Sequence, residues 1–140
     1  MAYIDTSVLV AYYYPEPLSG AAEKCVRGAE SPAISLLTRV EFCSALAIKV
    51  RTGEIDEAVA ERILSRFRIH LEEQRYSILP IEAEHYLLAA DWIGRFSTPL
   101  RSLDALHLAV AFAGDLRLLT ADGALARSAE HFGIEHILIS

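Results

Sequence analysis

The chain has 140 residues, 19 of them acidic and 13 basic, for a formal net charge of -6, and 53% of its residues are hydrophobic. Such a length suits a single domain, residues 1–140, with a sizeable core, and the mixture of apolar and charged residues excludes disorder and low-complexity classes. At face value the acidity also argues against nucleic acid as a partner, because phosphate binding normally shows as a basic footprint.

Cys25 and Cys43 form no C-x-x-C pair, so neither a zinc site nor a disulfide framework is suggested, and a reducing cytoplasm is the expected compartment. Asp5 interrupts the first apolar run, no basic leader precedes it, and no uncharged stretch approaches the ~20 residues that span a bilayer. The expectation is a soluble, cytoplasmic protein without a membrane partner.

Ala2-Tyr3-Ile4 predicts a short buried strand, and Val8 to Tyr13 a helix stopped by Pro15 and Pro17. Ser19 to Arg27 predicts a second helix ending at Gly28, and Ala33 to Leu37 a second strand. Thr38 opens a strongly apolar helix that runs to about Thr52 and stops at Gly53; Asp56 to about Glu73 is another long helix. The two together predict an antiparallel helical hairpin that stands out from the sheet.

Tyr76 to Leu79 reads as a third strand broken by Pro80, and Glu82 to about Phe96 as a helix, followed by a Ser97-Thr98-Pro99 loop. Ser102 to Gly114 is apolar on every side apart from its first turn and His107, which predicts a buried central helix. Leu116 to Thr120 gives a fourth strand, Asp122 to Phe132 a helix stopped by Gly133, and Glu135 to Ile139 a closing strand. Strands alternating with helices imply parallel pairing through right-handed crossovers, hence a three-layer α/β/α domain around a sheet of about five strands. Neither G-x-G-x-x-G nor G-x-x-x-x-G-K-[ST] occurs, so the common nucleotide fingerprints do not apply.

In an open parallel sheet ligands bind outside the carboxyl ends of the strands, where the strand order reverses. Asp5 follows the first strand, Glu41 opens the helix after the second, Asp104 opens the central helix, and Asp122 follows the fourth strand. Each has a bland reading. Thr38 with Glu41 three residues on is a capping box, Ser102 can cap the helix whose first turn holds Asp104, Asp122 is a candidate N-cap, and Asp5 can cap its own turn. Capping alone does not dictate that the acids gather at one end of the sheet. If they converge, their mutual repulsion calls for a cation, and an all-oxygen set without Cys or His suits Mg²⁺ or Mn²⁺.

The sequence resembles the PIN-domain nucleases, and specifically the VapC-type toxins of toxin–antitoxin pairs. The resemblance rests on Tyr3-Ile4-Asp5-Thr6-Ser7-Val8-Leu9, on Ser35-Leu36-Leu37-Thr38-Arg39-Val40-Glu41, on Leu103-Asp104-Ala105-Leu106-His107-Leu108-Ala109 and on Leu119-Thr120-Ala121-Asp122. It implies a metal-dependent endoribonuclease in which Asp5, Glu41, Asp104 and Asp122 are catalytic and hold Mg²⁺ or Mn²⁺. It further implies an RNA substrate, a cognate antitoxin that inhibits the enzyme, and a homodimer. Thr6, Ser7 and Thr120 are similar to the family's polar residues around the acids, with hydrogen bonding to the ligands as the expected role and local turn capping as the alternative. Two bound ions also relieve the charge objection, since -6 plus 4 leaves -2. Two competing functions are a non-catalytic scaffold of the same fold and a phosphotransfer domain using Asp5 as nucleophile, the latter weakened by the lack of a second nearby acid.

Arg39 and Arg101, each close in sequence to a site acid, are the best candidates for RNA phosphate contacts. Lys49, Arg51, Arg62, Arg66 and Arg68 are interleaved with Glu54, Glu57, Glu61 and Glu72, which favours an ion-paired, solvated surface. His107 lies one turn after Asp104; a packed, hydrogen-bonded core histidine is the favoured reading over a proton shuttle. Of Tyr12, Tyr13 and Tyr14, one or two are expected to pack in the core and the rest to be available for base stacking.

Overall fold

A computed structural model describes all of residues 1–140. The elements run β1 (Ala2–Ile4), α1 (Thr6–Tyr13), α2 (Ser19–Gly28), β2 (Pro32–Ser35), α3 (Leu36–Arg51), α4 (Glu57–Glu72), β3 (Ser77–Leu79), α5 (Ala83–Gly94), α6 (Ser102–Ala113), β4 (Arg117–Thr120), α7 (Gly123–His131) and β5 (His136–Leu138). All five strands are parallel, in the order β3-β2-β1-β4-β5. The chain builds outward from β1 to β3, then returns to place β4 on the other side of β1. The reversal of strand order therefore falls between β1 and β4, and the crevice at their carboxyl ends is where such a sheet binds ligands.

Strand parity divides the core in two. Side chains alternate faces along a strand, and residues paired in register share a face. Ile4, Ile34 and Leu119 face one side, where they pack with Val8 and Leu9 of α1, Ala22 and Val26 of α2, Phe42 and Leu46 of α3, and Ile63 and Phe67 of α4. Tyr3, Ala33 and Leu118 face the other, against α5, α6 and α7. The three-layer architecture expected from the alternation of elements is thus realised, with α6 as its buried centre: seven consecutive residues, Ala105 to Ala111, are buried.

Several boundaries shift by one or two residues from the sequence reading, and three of the differences bear on the site. The second strand ends at Ser35, not Leu37, because Ser35 and Thr38 form the capping box that starts α3, with the Ser35 N–H donating to Thr38 Oγ1 at 3.2 Å. Thr38 is consequently the third helical residue rather than the cap, and Glu41 belongs to no capping box. Arg101, not Ser102, is the N-cap of α6, which makes Ser102 the first helical residue and leaves Asp104 in the first turn without a capping role. Helix α1 begins at Thr6, two residues earlier than expected, directly behind Asp5.

The α3/α4 hairpin is rooted in the core by aromatic contacts. Phe67 of α4 lies 4.5 Å from Phe42 of α3 and 5.5 Å from Tyr13 of α1, centroid to centroid, at the tilted angles that ring quadrupoles favour. Tyr13 is the tyrosine of its run that packs inside, where its hydroxyl meets Tyr76 at 2.6 Å and the His70 Nδ1 at 2.5 Å. No helix is long and apolar enough to cross a membrane. Phe67→Ala empties the point where α1, α3 and α4 meet and is expected to cost about 3–5 kcal/mol, measured as a lower urea midpoint.

Candidate active site

Register brings the first acid to the switch point. Tyr3 pairs with Leu118 and Ile4 with Leu119, so the next residues, Asp5 and Thr120, stand side by side, and the Asp5 N–H donates to the Leu119 carbonyl at 2.9 Å. Parity puts both on the α6 side of the sheet, with Tyr3 and Ser35. Asp5 occupies the N-cap position of α1, yet its side chain caps nothing. Its Oδ2 instead accepts from the Ser7 hydroxyl and, at 3.0 Å, from the Thr120 hydroxyl. Those two hydroxyls in turn accept the N–H groups of Ala121 (2.9 Å) and Asp122 (3.0 Å). Ser7 and Thr120 therefore clamp the loop after β1 to the loop after β4.

Asp122 does cap its helix: Oδ1 accepts from the N–H groups of Ala124 and Leu125 at 2.9 and 3.2 Å. Glu41 comes from the second turn of α3, where its Oε1 accepts from the Thr6 hydroxyl at 2.6 Å and from Nε2 of His107. Since a carboxylate can only accept, His107 donates from Nε2. His107 is a wholly buried core residue, as expected, but its link to Glu41 was invisible in the sequence. Its Nδ1 meets the Tyr3 hydroxyl at 2.6 Å, and that hydroxyl meets Ser35 Oγ at 2.8 Å. Burial pushes the Tyr3 hydroxyl up to about 12 despite its bonds to Ser35 and Thr38, so it remains a donor at neutral pH.

A common pattern emerges among the four acids. Asp5, Glu41 and Asp122 each commit one carboxylate oxygen to protein donors and leave the other free, whereas Asp104 makes no hydrogen bond and keeps both. Arg39 and Arg101 are both exposed and form no ion pair, one two residues before Glu41 and the other at the start of the helix that carries Asp104.

A family model for the PIN domain matches residues 2–130. The chain belongs to the PIN-domain family. Among solved structures, it resembles PAE2754 from Pyrobaculum aerophilum at 26% identity, covering 97% of this chain and 83% of that one with a TM-score of 0.69. It also resembles the sarcin–ricin loop cleaving toxin VapC20 of Mycobacterium tuberculosis (16% identity, 91% and 95% covered, TM-score 0.72). A third likeness is to VapBC2 of Rickettsia felis bound to a promoter DNA fragment (15% identity, both chains covered in full, TM-score 0.71). The last two are likenesses of fold. No curated protein matches the sequence.

Electrostatics set Asp104 apart within this PIN domain. Burial raises its carboxyl above the usual carboxylate range, and the charges of Asp5, Asp122 and Glu41 push it further, against an opposing pull from His107. Asp5, Asp122 and Glu41 are therefore each within electrostatic reach of Asp104. Burial would also raise Glu41, but the hydrogen bond and charge of His107 and the Thr6 hydroxyl outweigh it and hold that carboxyl below its ordinary value. As the side chains stand, no three His, Cys, Asp or Glu residues are close enough to enclose a metal ion. The donor chemistry nonetheless fits a hard divalent cation: only oxygens, one unengaged on each of three anchored carboxylates and two on the fourth.

Because the pKa of Asp104 is raised by folding, its contribution to stability is complete below the unfolded-state value and is lost as pH rises through the folded-state value. At neutral pH its charge thus weighs against the metal-free fold. Asp104→Asn is expected to raise the thermal midpoint of the chelator-treated protein at pH 7.5, with the gain shrinking toward pH 4. A midpoint unchanged or lowered across that range would contradict the placement of the four charges.

Proposed function

We propose that this PIN domain is a metal-dependent endoribonuclease of the VapC toxin type, using Mg²⁺ or Mn²⁺ and restrained by a cognate antitoxin. The observation that supports the reading is geometric: Asp5 stands beside Thr120 where the strand order reverses, and hydrogen bonds tie Glu41 both to Thr6, next to Asp5, and to His107, one turn after Asp104. The competing scaffold reading, in which the acids only cap helices, suits Asp122 but leaves Asp5, Glu41 and Asp104 unexplained, since none of their carboxylates caps a helix.

In this reading Asp5, Glu41, Asp104 and Asp122 hold the cation through their free oxygens. When bound, a divalent ion activates water as a nucleophile and polarises the phosphodiester. Water oxygen joins phosphorus, the bond from phosphorus to O3′ breaks, and the proton reaches O3′, giving 5′-phosphate and 3′-hydroxyl ends. Ser7, Thr120 and Thr6 keep the anchored carboxylates from turning away. Arg39 and Arg101, free of ion pairs, meet the phosphates that flank the scissile bond. The negative charge of the chain is no obstacle, because much of it lies where cations neutralise it.

Partners follow from the surface. Leu36, Val40 and Ile48 on α3 and Ile69 on α4 are exposed apolar side chains, suited to a second copy or to the amphipathic helix of an antitoxin. Both cysteines are unpaired, in keeping with a reducing cytoplasm.

Purified protein incubated with total bacterial RNA and Mn²⁺ is expected to give discrete new ends bearing 5′-phosphate, mapped by sequencing. Chelator should abolish them, and Asp104→Asn should reduce them by more than about 100-fold, exceeding the usual effect of losing a group that only supports a metal ligand. Absence of cutting in either metal, together with no Mn²⁺ binding by calorimetry, would leave the scaffold.

A further inference from the structure

A string of buried polar side chains runs from the middle of the sheet to the candidate active site. Ser35 Oγ meets the Tyr3 hydroxyl at 2.8 Å, that hydroxyl meets His107 Nδ1 at 2.6 Å, and His107 Nε2 donates to Glu41 Oε1. Ser35, Tyr3 and His107 are each 0% exposed, and no buried side-chain nitrogen or oxygen of the chain lacks a partner. The string therefore works as a closed set of bonds: the Glu41 carboxylate holds a proton on Nε2, the Tyr3 hydroxyl occupies Nδ1, and Ser35 Oγ occupies the Tyr3 hydroxyl in turn.

Stability alone does not call for this arrangement. Leucine or phenylalanine at positions 3 and 107 would fill the same layer without desolvating a hydroxyl and an imidazole, and polar core groups are often no more stabilising than apolar ones of similar volume. What the string adds is control of one side chain. Glu41 sits on α3, and its long side chain has three rotatable bonds to restrain. With Oε1 held by His107 and Thr6, only Oε2 remains free.

We propose that His107, backed by Tyr3 and Ser35, is a positioning residue that fixes the Glu41 carboxylate so that a single oxygen, Oε2, is presented to the cation. The proposal rests on the nuclease reading and deepens it. His107 is no proton shuttle here, since both ring nitrogens are occupied by protein partners and the ring is shut away from solvent.

Two substitutions divide the roles of the ring. The amide nitrogen of glutamine reaches about as far as Nε2, and that of asparagine only about as far as Nδ1. His107→Gln therefore keeps a donor for Glu41, whereas His107→Asn removes it and leaves only the Tyr3 side partnered. Mn²⁺ binding is read by calorimetry and RNA cleavage across a Mn²⁺ titration, with Ile63→Ala, a core change in the opposite layer, matching the loss of stability. His107→Asn is expected to weaken Mn²⁺ binding by about 10–100-fold, the usual cost of losing a partner of a metal ligand. Its cleavage should recover as Mn²⁺ is raised, because the ligands themselves are intact. His107→Gln should retain most of the affinity, Tyr3→Phe should fall between the two, and Ile63→Ala should bind as the unaltered protein does.

Equal Mn²⁺ affinity in His107→Asn and the unaltered protein would overturn the positioning role while leaving the nuclease reading in place. A loss matched in Ile63→Ala would do the same, by reducing the effect to stability. An unaltered protein that neither binds Mn²⁺ nor cuts RNA would remove both.

Discussion

Asp104 stands under the negative charges of Asp5, Asp122 and Glu41, and the fold tolerates that repulsion. The latter three are restrained by hydrogen bonds, each through one oxygen: Asp5 by two hydroxyls, Glu41 by a hydroxyl and an imidazole, Asp122 by two backbone amides at a helix N-terminus. Asp104 has no such support and carries the electrostatic burden in its raised pKa. The helix that presents it is surrounded by protein over most of its length, so it has little room to move away. Rigidity of α6 and strain in charge at its first turn are two aspects of one design.

Parity of the short strands decides which residues share in this arrangement. Tyr3 and Asp5 are two residues apart on β1 and its continuation, and so project to the same side. Ser35 and Thr120 project there from the neighbouring strands by register. A slip of one residue in β1 would send Tyr3 and Asp5 to the α1 side and bring Ile4 beneath α6, exchanging a hydrogen-bonded network for a buried mismatch. The apolar pairings of Ile4 with Leu119 and Tyr3 with Leu118 thus specify the site as firmly as the acids do.

The alternation of apolar runs with helical periods was enough to read the layered parallel architecture and the buried central helix. It was also enough to place Asp5, Asp104 and Asp122 at element boundaries, whereas Glu41, expected to open its helix, lies in the second turn of α3. It failed at Ser35, because Leu36 and Leu37 prolong an apolar run that only the Ser35–Thr38 bond interrupts, a choice between two near-equivalent caps. It failed in the same way at Arg101 and Ser102. The bond from His107 to Glu41 spans 66 residues and that from Tyr3 to His107 spans 104, and neither lies within reach of a local pattern. A signal was present in retrospect: a tyrosine at the centre of a three-residue buried strand and a histidine in an apolar helix each need a polar partner.

The uniform direction of the strands gives the molecule two unlike rims. Chain enters β1 at one rim and leaves β5 at the other, and the second is the rim where the acids stand. At the first rim, Gln74 and Asp115 turn the chain from helix toward strand with positive φ, and none of the four acids is there. An affinity handle or fluorescent fusion placed ahead of Met1 would hang from the quiet rim, a full strand length from the crevice. The same handle after Ser140 would share its rim with Asp5 and Asp122, where its bulk and charge compete with whatever approaches them.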